Sequence, residues 1–467
     1  MNTPDFLNRE KELNFLHSQF ARKEASFIVI YGRRRVGKTS LIKEFIKDKS
    51  SLFFMADKQS EKGILDRFAK TASTFLEDEF LEKLTFNTWE DFFGYITQKL
   101  DESKKYVLVI DEFQYLPDIN HAFPSILQRI WDEKLKDKNI MLILCGSLIN
   151  MMCSTTLSYQ SPLYGRRTGQ IKLDPISFDY CHNFFPGIDE RKLIEYYSVT
   201  GGIPKYMEMF DATNDILFDI KTNVLSKNSY LYNEPRFILN EEVTETATYF
   251  SILKAIAAGD HKIGKIASIV GVKTNVLAKY FNVLADLQII ERQVPVTEEN
   301  PEKSKKGLYF IKDNFFRFWF RYVFPYQSFL EIERDDVVLK EIRKSFSIFV
   351  SFVYENLCLQ KIPDLTQNGI INFEIEKWGR WWSKDEEIDI VATSQKHKNI
   401  LFGECKWSDT PTGVSVYADL KAKAKKVKWH TDERNEYYIL FSKSGFTEDL
   451  MDINEKTSSL ILIDSIV

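Results

Sequence analysis

The chain has 467 residues, of which 44% are hydrophobic, and its formal net charge is -4. This length predicts about three domains. The charge excludes a global attraction to nucleic acid, so any such contact must come from a local basic patch.

No apolar run is long enough to cross a bilayer and the N-terminus has no signal pattern, so we expect a cytoplasmic protein with no membrane partner. Five scattered cysteines form no CxxC pair, and we expect buried, reduced thiols.

The first ~185 residues alternate short apolar runs with helical patterns. The runs show little polar alternation, which is typical of parallel strands covered on both faces. Strand and helix in alternation predict a doubly wound α/β domain. The predicted strands are residues 26–31, 51–56, 106–111, 140–146 and 170–174.

A phosphate loop, YGRRRVGKTS, follows the first predicted strand and precedes a helical pattern. Its glycines let backbone amides turn toward phosphate oxygens, while its lysine reaches the β- and γ-phosphates and its threonine ligates Mg²⁺. The position between strand and helix favours an ATP and Mg²⁺ site over a chance glycine-rich turn. The predicted phosphate-binding residues are Gly32, Arg33, Arg34, Arg35, Val36, Gly37, Lys38, Thr39 and Ser40.

Two later strands end in polar residues that complete this prediction. The run YVLVIDEF ends in Asp111 and Glu112, at the strand end where ligands bind in open α/β sheets. We expect Asp111 to hold Mg²⁺ through water and Glu112 to orient and deprotonate the attacking water. Ser147, at the end of IMLILCGS, is placed to sense the γ-phosphate, although an ordinary turn explains it equally well.

The second half of the chain changes character several times. Residues ~187–235 have helical patterns around GGIP at 201–204, and residues ~242–312 read as three short helices and a hairpin. An aromatic-rich stretch at 313–330 predicts a buried connecting helix. The last ~125 residues again read as α/β.

The motifs of the chain, taken together, resemble those of archaeal-type ATPases of the AAA+/STAND group. FLNREKEL, GRRRVGKT, IDEFQYL, SPLYGRRTG, TGGIPKY and GRWW…EIDIV…GECKW follow in that family's order. The resemblance covers nearly the whole chain. It implies a P-loop core at 1–186, a helical lid at 187–240, a winged helix at 241–312, an aromatic connecting helix at 313–340 and a further domain at 341–467.

The resemblance also implies roles for residues outside the phosphate loop. Residues 8–10, Asn-Arg-Glu, match a motif near the adenine side. Arg166 and Arg167 match a position suited to γ-phosphate sensing, within one chain or from a neighbouring subunit of a homo-oligomer; the alternative is a solvated basic loop. Gly202 and Pro204 look like a lid element that packs near the base, and the alternative is a helix-ending turn.

The predicted winged helix is a candidate for contact with double-stranded DNA. Gly271 marks the turn between its second and third helices, and TEENPEKSKK is expected to form a mobile wing. The wing mixes lysines and glutamates, which is a weak electrostatic signal for DNA. Sequence-specific binding, nonspecific contact and a purely structural role therefore stay open. The candidate groove-facing residues are Lys273, Thr274, Asn275 and Lys279.

The C-terminal stretch FGECKW places charges in an apolar strand. In ILFGECKW, alternation puts Glu404 and Lys406 on one face. In the run EEIDIVA, alternation likewise places Asp389 on one face. The six-residue link SQKHKN lets the two strands pair as a hairpin. Upstream, Glu355 interrupts an apolar helical pattern. The side chains of Asp389, Glu404 and Lys406 are expected to converge.

That set resembles the PD-(D/E)xK nuclease fold of restriction enzymes and Holliday-junction resolvases, although no proline precedes Asp389. The resemblance implies that Asp389 and Glu404 hold one or two Mg²⁺, that Glu355 completes the metal shell or orients a ligand, and that Lys406 orients water or neutralises the transition state. The lysine-rich run 421–429 follows as a helix that lines DNA or is simply solvated. The alternative for Glu404 and Lys406 is an ion pair satisfied on a sheet face.

We therefore predict an ATPase that couples its nucleotide state to DNA binding or to Mg²⁺-dependent DNA cleavage by a C-terminal restriction-endonuclease-like α/β domain. The alternative is an ATP-dependent molecular switch whose C-terminal domain binds DNA or protein without cutting.

Overall fold

The computed structural model describes residues 7–466; residues 1–6 and Val467, at the ends of the predicted domains, lie outside this range. The chain forms two compact units, each with its own sheet. The first contains the described residues up to Tyr180 together with Ile203–Glu208 and Arg236–Thr244. The second contains Cys181–Gly202, Met209–Pro235 and residues 245–466.

Five strands form the sheet of the first unit: β1 Ser26–Tyr31, β2 Ser51–Met55, β3 Tyr106–Asp111, β4 Ile140–Gly146 and β5 Gly169–Lys172. Their order is β2-β3-β4-β1-β5 and every neighbouring pair is parallel. Every residue of β1, β3 and β4 is buried, because helices cover both faces of such a sheet. The predicted α/β fold with a parallel five-stranded sheet is confirmed.

One helix precedes these strands and seven lie between them. Three of them begin at Ser60, Asp78 and Thr88, whose side-chain oxygens accept backbone N–H groups of the first turn. Five-residue π-turns continue the seventh and eighth helices, at Trp131–Leu135 and Cys153–Leu157. The helices are α1 Glu10–Phe20, α2 Lys38–Ile46, α3 Glu61–Leu76, α4 Glu79–Lys83, α5 Trp89–Lys99, α6 Tyr115–Ile119, α7 Phe123–Ile130 and α8 Ile149–Met152.

The stretch predicted as a lid contributes to both units. Two of its pieces, Ile203–Glu208 and Arg236–Thr244, belong to the first unit, and the remainder belongs to the second. The predicted boundaries at 187 and 240 are therefore coarser than this division, and the five-domain scheme stays a prediction. The helices here are α9 Glu190–Thr200, α10 Pro204–Met207, α11 Ile216–Ile220 and α12 Glu234–Glu242, with a 3₁₀ turn at Phe178–Asn183 and a π-turn at Lys221–Leu225.

Three helices and a hairpin follow in the predicted order. They are α13 Thr246–Ala257, α14 Ile263–Val270, α15 Thr274–Asp286 and the antiparallel strands β6 Ile290–Gln293 and β7 Leu308–Ile311. Gly271 ends α14 with φ of 76°, a left-handed conformation that glycine adopts without a Cβ penalty. The assignment of these elements as a winged helix stays a prediction.

The aromatic stretch forms an interrupted helix, which is followed by one long helix. It contains α16 Asn314–Phe318, a π-turn at Trp319–Val323, a 3₁₀ turn at Phe324–Tyr326, α17 Gln327–Glu331 and α18 Asp335–Gln367. The predicted boundary between residues 340 and 341 falls inside α18. The helix continues across it because Val338, Ile342 and Phe346 bury one face at a spacing of four residues.

The second unit ends in a mixed five-stranded sheet. Its strands are β8 Lys377–Trp382, β9 Glu387–Ser394, β10 Asn399–Lys406, β11 Asn435–Ser442 and β12 Leu460–Ile463, in the order β12-β11-β10-β9-β8. The pairs β8/β9 and β9/β10 are antiparallel, whereas β10/β11 and β11/β12 are parallel. The predicted β9–β10 hairpin is confirmed. Helices α19 Val414–Ala424 and α20 Glu448–Lys456 provide the parallel crossovers.

The connection between β6 and β7, predicted to be a mobile wing, makes specific contacts. The backbone N–H of Val296 donates to the carbonyl of Arg380 in β8 at 3.0 Å, and the indole of Trp382 donates to the carbonyl of Lys306 at 3.2 Å. An ion pair between Lys306 and Glu298, 2.7 Å long, closes the loop on itself. These contacts hold the segment against the edge of the mixed sheet.

No helix within residues 7–466 has the length and apolarity needed to cross a bilayer. None of the five cysteines, all within residues 7–466, forms a disulfide, and four of them are buried while Cys153 is half-buried. The expectation of buried thiols is therefore confirmed for all but Cys153.

Candidate functional site

The first candidate site is the loop between β1 and α2. Gly32 leaves β1 where the chain approaches Leu173 so closely that a Cβ at this position would lie 2.4 Å from the Leu173 carbonyl oxygen. Only glycine fits there. Gly37 precedes α2 with φ of 93°, again a conformation that favours glycine. The two glycines of the motif are thus required by the shape of the loop itself.

Lys38 is folded back across the loop. Its Nζ donates to the carbonyl oxygens of Gly32 and Arg33, each at 2.8 Å, and the side chain is buried. Burial lowers the pKa of Lys38, which the nearby carboxylates of Asp111 and Glu112 oppose. An ammonium held only by neutral carbonyls is well placed to exchange them for phosphate oxygens, because charge-assisted bonds are stronger.

The hydroxyl of Thr39 and the carboxylate of Asp111 lie together. Thr39 Oγ1 donates to Asp111 Oδ2 at 2.8 Å, and Asp111 Oδ1 accepts the backbone N–H of Glu112 at 2.9 Å. The contact exists because β1 and β3 both flank β4, so that their carboxyl ends share one sheet edge. Hydroxyl and carboxylate oxygens are the ligands that Mg²⁺ prefers, and the pair fits that ion.

Glu112 is oriented by polar groups from two sides. Ser147, directly after β4, donates from Oγ to Glu112 Oε2 at 2.9 Å. Gln114 donates from Nε2 to the same oxygen, and its side chain is fully buried. Sequence reasoning missed Gln114, although a glutamine that follows an Asp-Glu pair inside an apolar run was a usable signal. The roles predicted for Glu112 and Ser147 stay predictions, and the structure places the two side chains in contact.

Two glutamates from the end of α12 also reach this site and were missed. Glu241 Oε2 lies 2.6 Å from Arg34 Nη2 in the phosphate loop. Glu242 Oε1 accepts the backbone N–H of Ile149, at the start of α8, at 3.3 Å. Burial raises the pKa of Glu242 to about 7. Nothing local in the sequence signals these contacts, because they join segments far apart in the chain.

The remaining residues predicted for the nucleotide site differ in their contacts and burial. Arg9 is buried and donates from Nη2 to the carbonyls of Val36 and Asp174, at 3.1 and 2.7 Å, so it braces the phosphate loop. Pro204 is the first residue of α10 and belongs to the first unit. Arg33 is buried and Ser40 exposed.

The two arginines of SPLYGRRTG have partners within their own unit. Arg166 Nη2 lies 2.9 Å from Asp132 Oδ2. The guanidinium of Arg167 stacks on the ring of Tyr164, 4.6 Å from its centroid, and donates to the Tyr164 carbonyl at 3.0 Å. Their γ-phosphate role stays a prediction, and it requires that these contacts break.

The second candidate site lies at the end of the β9–β10 hairpin. The strand register ends with Gly403 opposite Ile390, so Glu404 and Asp389 occupy the next position on the two strands. Asp389 Oδ2 accepts the backbone N–H of Cys405 at 2.9 Å. Glu404 is buried, and its Oε1 accepts from Lys406 Nζ at 2.8 Å. The predicted proximity of these side chains agrees with the structure.

Acidic neighbours surround Asp389. Burial raises the pKa of Asp389 to about 7, and the negative charges of Glu355 in α18 and Glu404 in β10 add to the effect. Burial also raises the pKa of Glu355, although Arg380 Nη1 lies 2.8 Å from its Oε2. Arg380, buried in β8, also lies 3.5 Å from Glu387 Oε1. Arg380 lies within the GRWW motif, but the sequence did not indicate that it is the counter-ion of Glu355.

Glu404 has a second cationic partner that sequence reasoning did not single out. Lys423 of α19 places its Nζ 3.3 and 3.2 Å from the two carboxylate oxygens of Glu404. Within residues 7–466, no three His, Cys, Asp or Glu side chains are grouped as ligands of a metal ion. In this structure ammonium groups compensate Glu404, and Arg380 compensates Glu355.

Comparison with known proteins places the two sites in different families of domains. Residues 6–210 match the model of an ATPase domain found predominantly in Archaea. Residues 319–435 match a family of archaeal and bacterial proteins of unknown function. The first match contains the whole phosphate loop, and the second contains Glu355, Asp389, Glu404 and Lys423.

Individual proteins resemble the chain over different lengths. An uncharacterised protein of Methanocaldococcus jannaschii is 35% identical over 441 residues, which cover 94% of this chain and 95% of the relative. An uncharacterised ATP-binding protein of the same organism is 52% identical over 44 residues, 9% of this chain and 75% of the relative. The structure of a Walker-type ATPase of Pyrococcus abyssi aligns with a TM-score of 0.50 and 20% identity, covering 68% of this chain and 96% of that one.

The raised pKa of Glu242 leads to a pH-dependent prediction. An acid whose pKa is higher in the folded chain than its ordinary value of 4.5 stabilises the fold at low pH, and this contribution is lost as the pH rises through about 7. Glu242→Gln keeps an oxygen for the Ile149 amide but carries no charge. We expect it to raise the midpoint of thermal unfolding by roughly 2–6 °C at pH 8 and to change it little at pH 5.

Glu241→Gln is the matched control, since the Glu241 side chain is 41% exposed and should show no gain at pH 8. Thermal unfolding of the full chain at the two pH values gives the comparison. An equal shift of Glu242→Gln at both pH values would contradict the assignment of the effect to ionisation.

Proposed function

Since the chain belongs to a family of archaeal ATPase-domain proteins that includes its full-length Methanocaldococcus jannaschii relative, we propose that the first unit binds MgATP and hydrolyses it. The observation that carries the proposal is the hydrogen bond from Thr39 Oγ1 to Asp111 Oδ2, 2.8 Å long, at the phosphate loop. It sets the hydroxyl and the carboxylate of a magnesium site beside the one lysine of that loop.

Each step of hydrolysis has a side chain suited to it. The amides of residues 32–39 and the ammonium of Lys38 bind the phosphates. Mg²⁺, when bound, neutralises charge on the β- and γ-phosphates, and Thr39 and Asp111 would hold it. Glu112, fixed by Ser147 and Gln114, accepts a proton from the attacking water.

For the second unit we propose Mg²⁺-dependent cleavage of double-stranded DNA, controlled by the nucleotide state of the first. A long helix, an antiparallel three-stranded meander, a crossover helix and a parallel strand support the PD-(D/E)xK interpretation. Asp389 beside Glu404 and Lys406 supports the chemistry, since an acid with a raised pKa among other acids gains most from a divalent cation. Asp389 and Glu404 would hold the ion, which would polarise the scissile phosphate and acidify a water; Glu355, paired with Arg380, is not grouped with them as a third ligand within residues 7–466.

One observation favours the alternative, an ATP-dependent switch whose second unit binds DNA or a protein partner without cutting. Glu404 is already compensated by Lys406 and Lys423, as in an ion pair that only stabilises a sheet. DNA contact has support in either case. The four predicted groove-facing residues of α15 and its N-terminal cap, Lys273, Thr274, Asn275 and Lys279, are all exposed. The proposed homo-oligomer would bring Arg166 or Arg167 of one copy to the nucleotide of another.

The ATPase proposal predicts two distinct defects. Lys38→Ala removes the phosphate-binding ammonium and should abolish ATP binding, measured by calorimetry. Glu112→Gln keeps the binding groups but cannot accept a proton, so it should bind ATP and hydrolyse it about 10²–10⁴-fold more slowly.

Lys43→Ala, on an exposed position of the same helix, is the control and should behave as wild type in both assays. Normal hydrolysis by Lys38→Ala would show that the phosphate loop is not the site of catalysis.

The cleavage proposal predicts that wild type nicks supercoiled plasmid with Mg²⁺ or Mn²⁺ in an ATP-dependent manner. Glu404→Ala and Lys406→Ala should each lower the rate at least about 100-fold, as expected when a metal ligand or a charge-stabilising group is lost. Glu433→Ala, at an exposed ion pair with Lys398, controls for the loss of a surface carboxylate.

Plasmid gels with and without ATP give the readout. If wild type cuts no better than Glu404→Ala, the cleavage proposal fails, and nucleotide-dependent DNA binding without cutting becomes the supported function.

A further inference from the structure

No step of the proposed hydrolysis uses the ion pair between Arg34 and Glu241. Arg34 Nη2, in the phosphate loop, lies 2.6 Å from Glu241 Oε2 at the end of α12, and it donates to the hydroxyl of Tyr115 at 3.3 Å. Within residues 7–466, the Nε–H of Arg34 is buried and has no hydrogen-bond partner. The guanidinium therefore has a donor that Glu241 does not use.

Arg34 belongs to the charged groups around the phosphate site. It lies four positions before Lys38, whose pKa is lowered by burial and further by the positive charge of Arg34. Burial opposes the charged form of Arg34 itself, but negative charges nearby, that of Glu241 foremost and that of Glu112 among them, raise its pKa. The side chain is thus within electrostatic range of the lysine and the acid proposed to act on the terminal phosphate.

The third phosphate of ATP would alter this balance of charges. Compared with ADP, ATP brings further negative charge and further oxygens to the side of the loop where Lys38 and Glu112 act. A guanidinium binds phosphate oxygens through its planar fork of N–H groups. The Glu241 side chain is 41% exposed. Because exposed ion pairs contribute little to stability, water can replace Arg34 as the partner of Glu241.

We infer that Arg34 binds the γ-phosphate of ATP and that Glu241 holds the Arg34 guanidinium when that phosphate is absent. The pair then determines how strongly the first unit prefers a triphosphate over a diphosphate. The inference rests on the proposed MgATP site and names the residues that distinguish its two nucleotides. Glu241 itself does not touch the nucleotide and acts only by positioning Arg34.

The two residues have opposite effects on the affinity for ATP. Since ATP must displace Glu241, the ion pair offsets part of the stabilisation by Arg34, and removal of the Glu241 charge tightens ATP binding. ADP ends at the β-phosphate and leaves the ion pair in place, so its affinity depends on neither side chain. If the pair only shaped the loop, both affinities would change alike, because both nucleotides use the loop amides.

The test compares binding of fluorescent ADP and of a fluorescent, non-hydrolysable ATP analogue to the full chain, each with Mg²⁺. Arg34→Met should weaken binding of the analogue about 10-fold, as the loss of a charged hydrogen bond predicts, and change ADP binding less than about 2-fold. Glu241→Gln should tighten binding of the analogue about 3-fold and leave ADP binding unchanged. In the double variant this gain should disappear, because Glu241 acts through Arg34.

Glu44→Gln is the matched control. Glu44 lies on α2 with its Oε2 4.0 Å from Lys47 Nζ, and its side chain is 41% exposed, as is that of Glu241. Its replacement should change both affinities less than about 2-fold. Thermal unfolding of each variant shows whether the fold is retained. If Arg34→Met does not fold, the selective gain in Glu241→Gln decides alone.

Three results would overturn the inference and leave the MgATP proposal in place, provided that wild type binds both nucleotides. They are equal losses of ADP and analogue binding in Arg34→Met, unchanged analogue binding in Glu241→Gln, and a gain in Glu241→Gln that persists in the double variant. A wild-type chain that binds neither nucleotide would remove both the inference and the MgATP proposal.

Discussion

The order of strands in the first sheet is the constraint on which the nucleotide site depends. Since β4 lies between β1 and β3, the phosphate loop, the acidic pair and Ser147 end at one edge. Thr39 and Asp111 then meet at 2.8 Å, and Ser147 reaches Glu112 at 2.9 Å. Four residues of this group have a positive φ, namely Gly32, Arg35, Gly37 and Glu112, and the φ of 53° at Glu112 turns the chain away from the strand.

In the second unit, the positions of the acidic side chains depend on nearby cationic partners. Two of its acids have cationic partners nearby: half-buried Glu355 has Arg380, and buried Glu404 has Lys406 and Lys423. Removing one member of such a pair leaves a charge without a partner inside the protein, which destabilises the fold.

The sequence alone predicted the features that are local in the chain. Continuous apolar runs located all five strands of the first sheet, and consecutive residues defined the phosphate loop and Asp111–Glu112. Alternation placed Glu404 and Lys406 on one face, and the β9–β10 pairing followed from a short polar link. The partners that depend on distant segments were missed, namely Glu241 and Glu242 at the phosphate loop and Lys423 at Glu404. The boundary predicted at residue 340 lies inside α18 because it overlooked a helical signal, the four-residue spacing of Val338, Ile342 and Phe346 on one buried face.

The central claim is that the first unit holds MgATP at the phosphate loop. A crystal structure of the full chain with a non-hydrolysable ATP analogue and Mn²⁺, with anomalous data at the manganese edge, tests it most directly. The account predicts triphosphate density along residues 32–39 and an anomalous peak beside Thr39 and Asp111. Nucleotide bound elsewhere, or a filled loop with no peak beside those two residues, would contradict it.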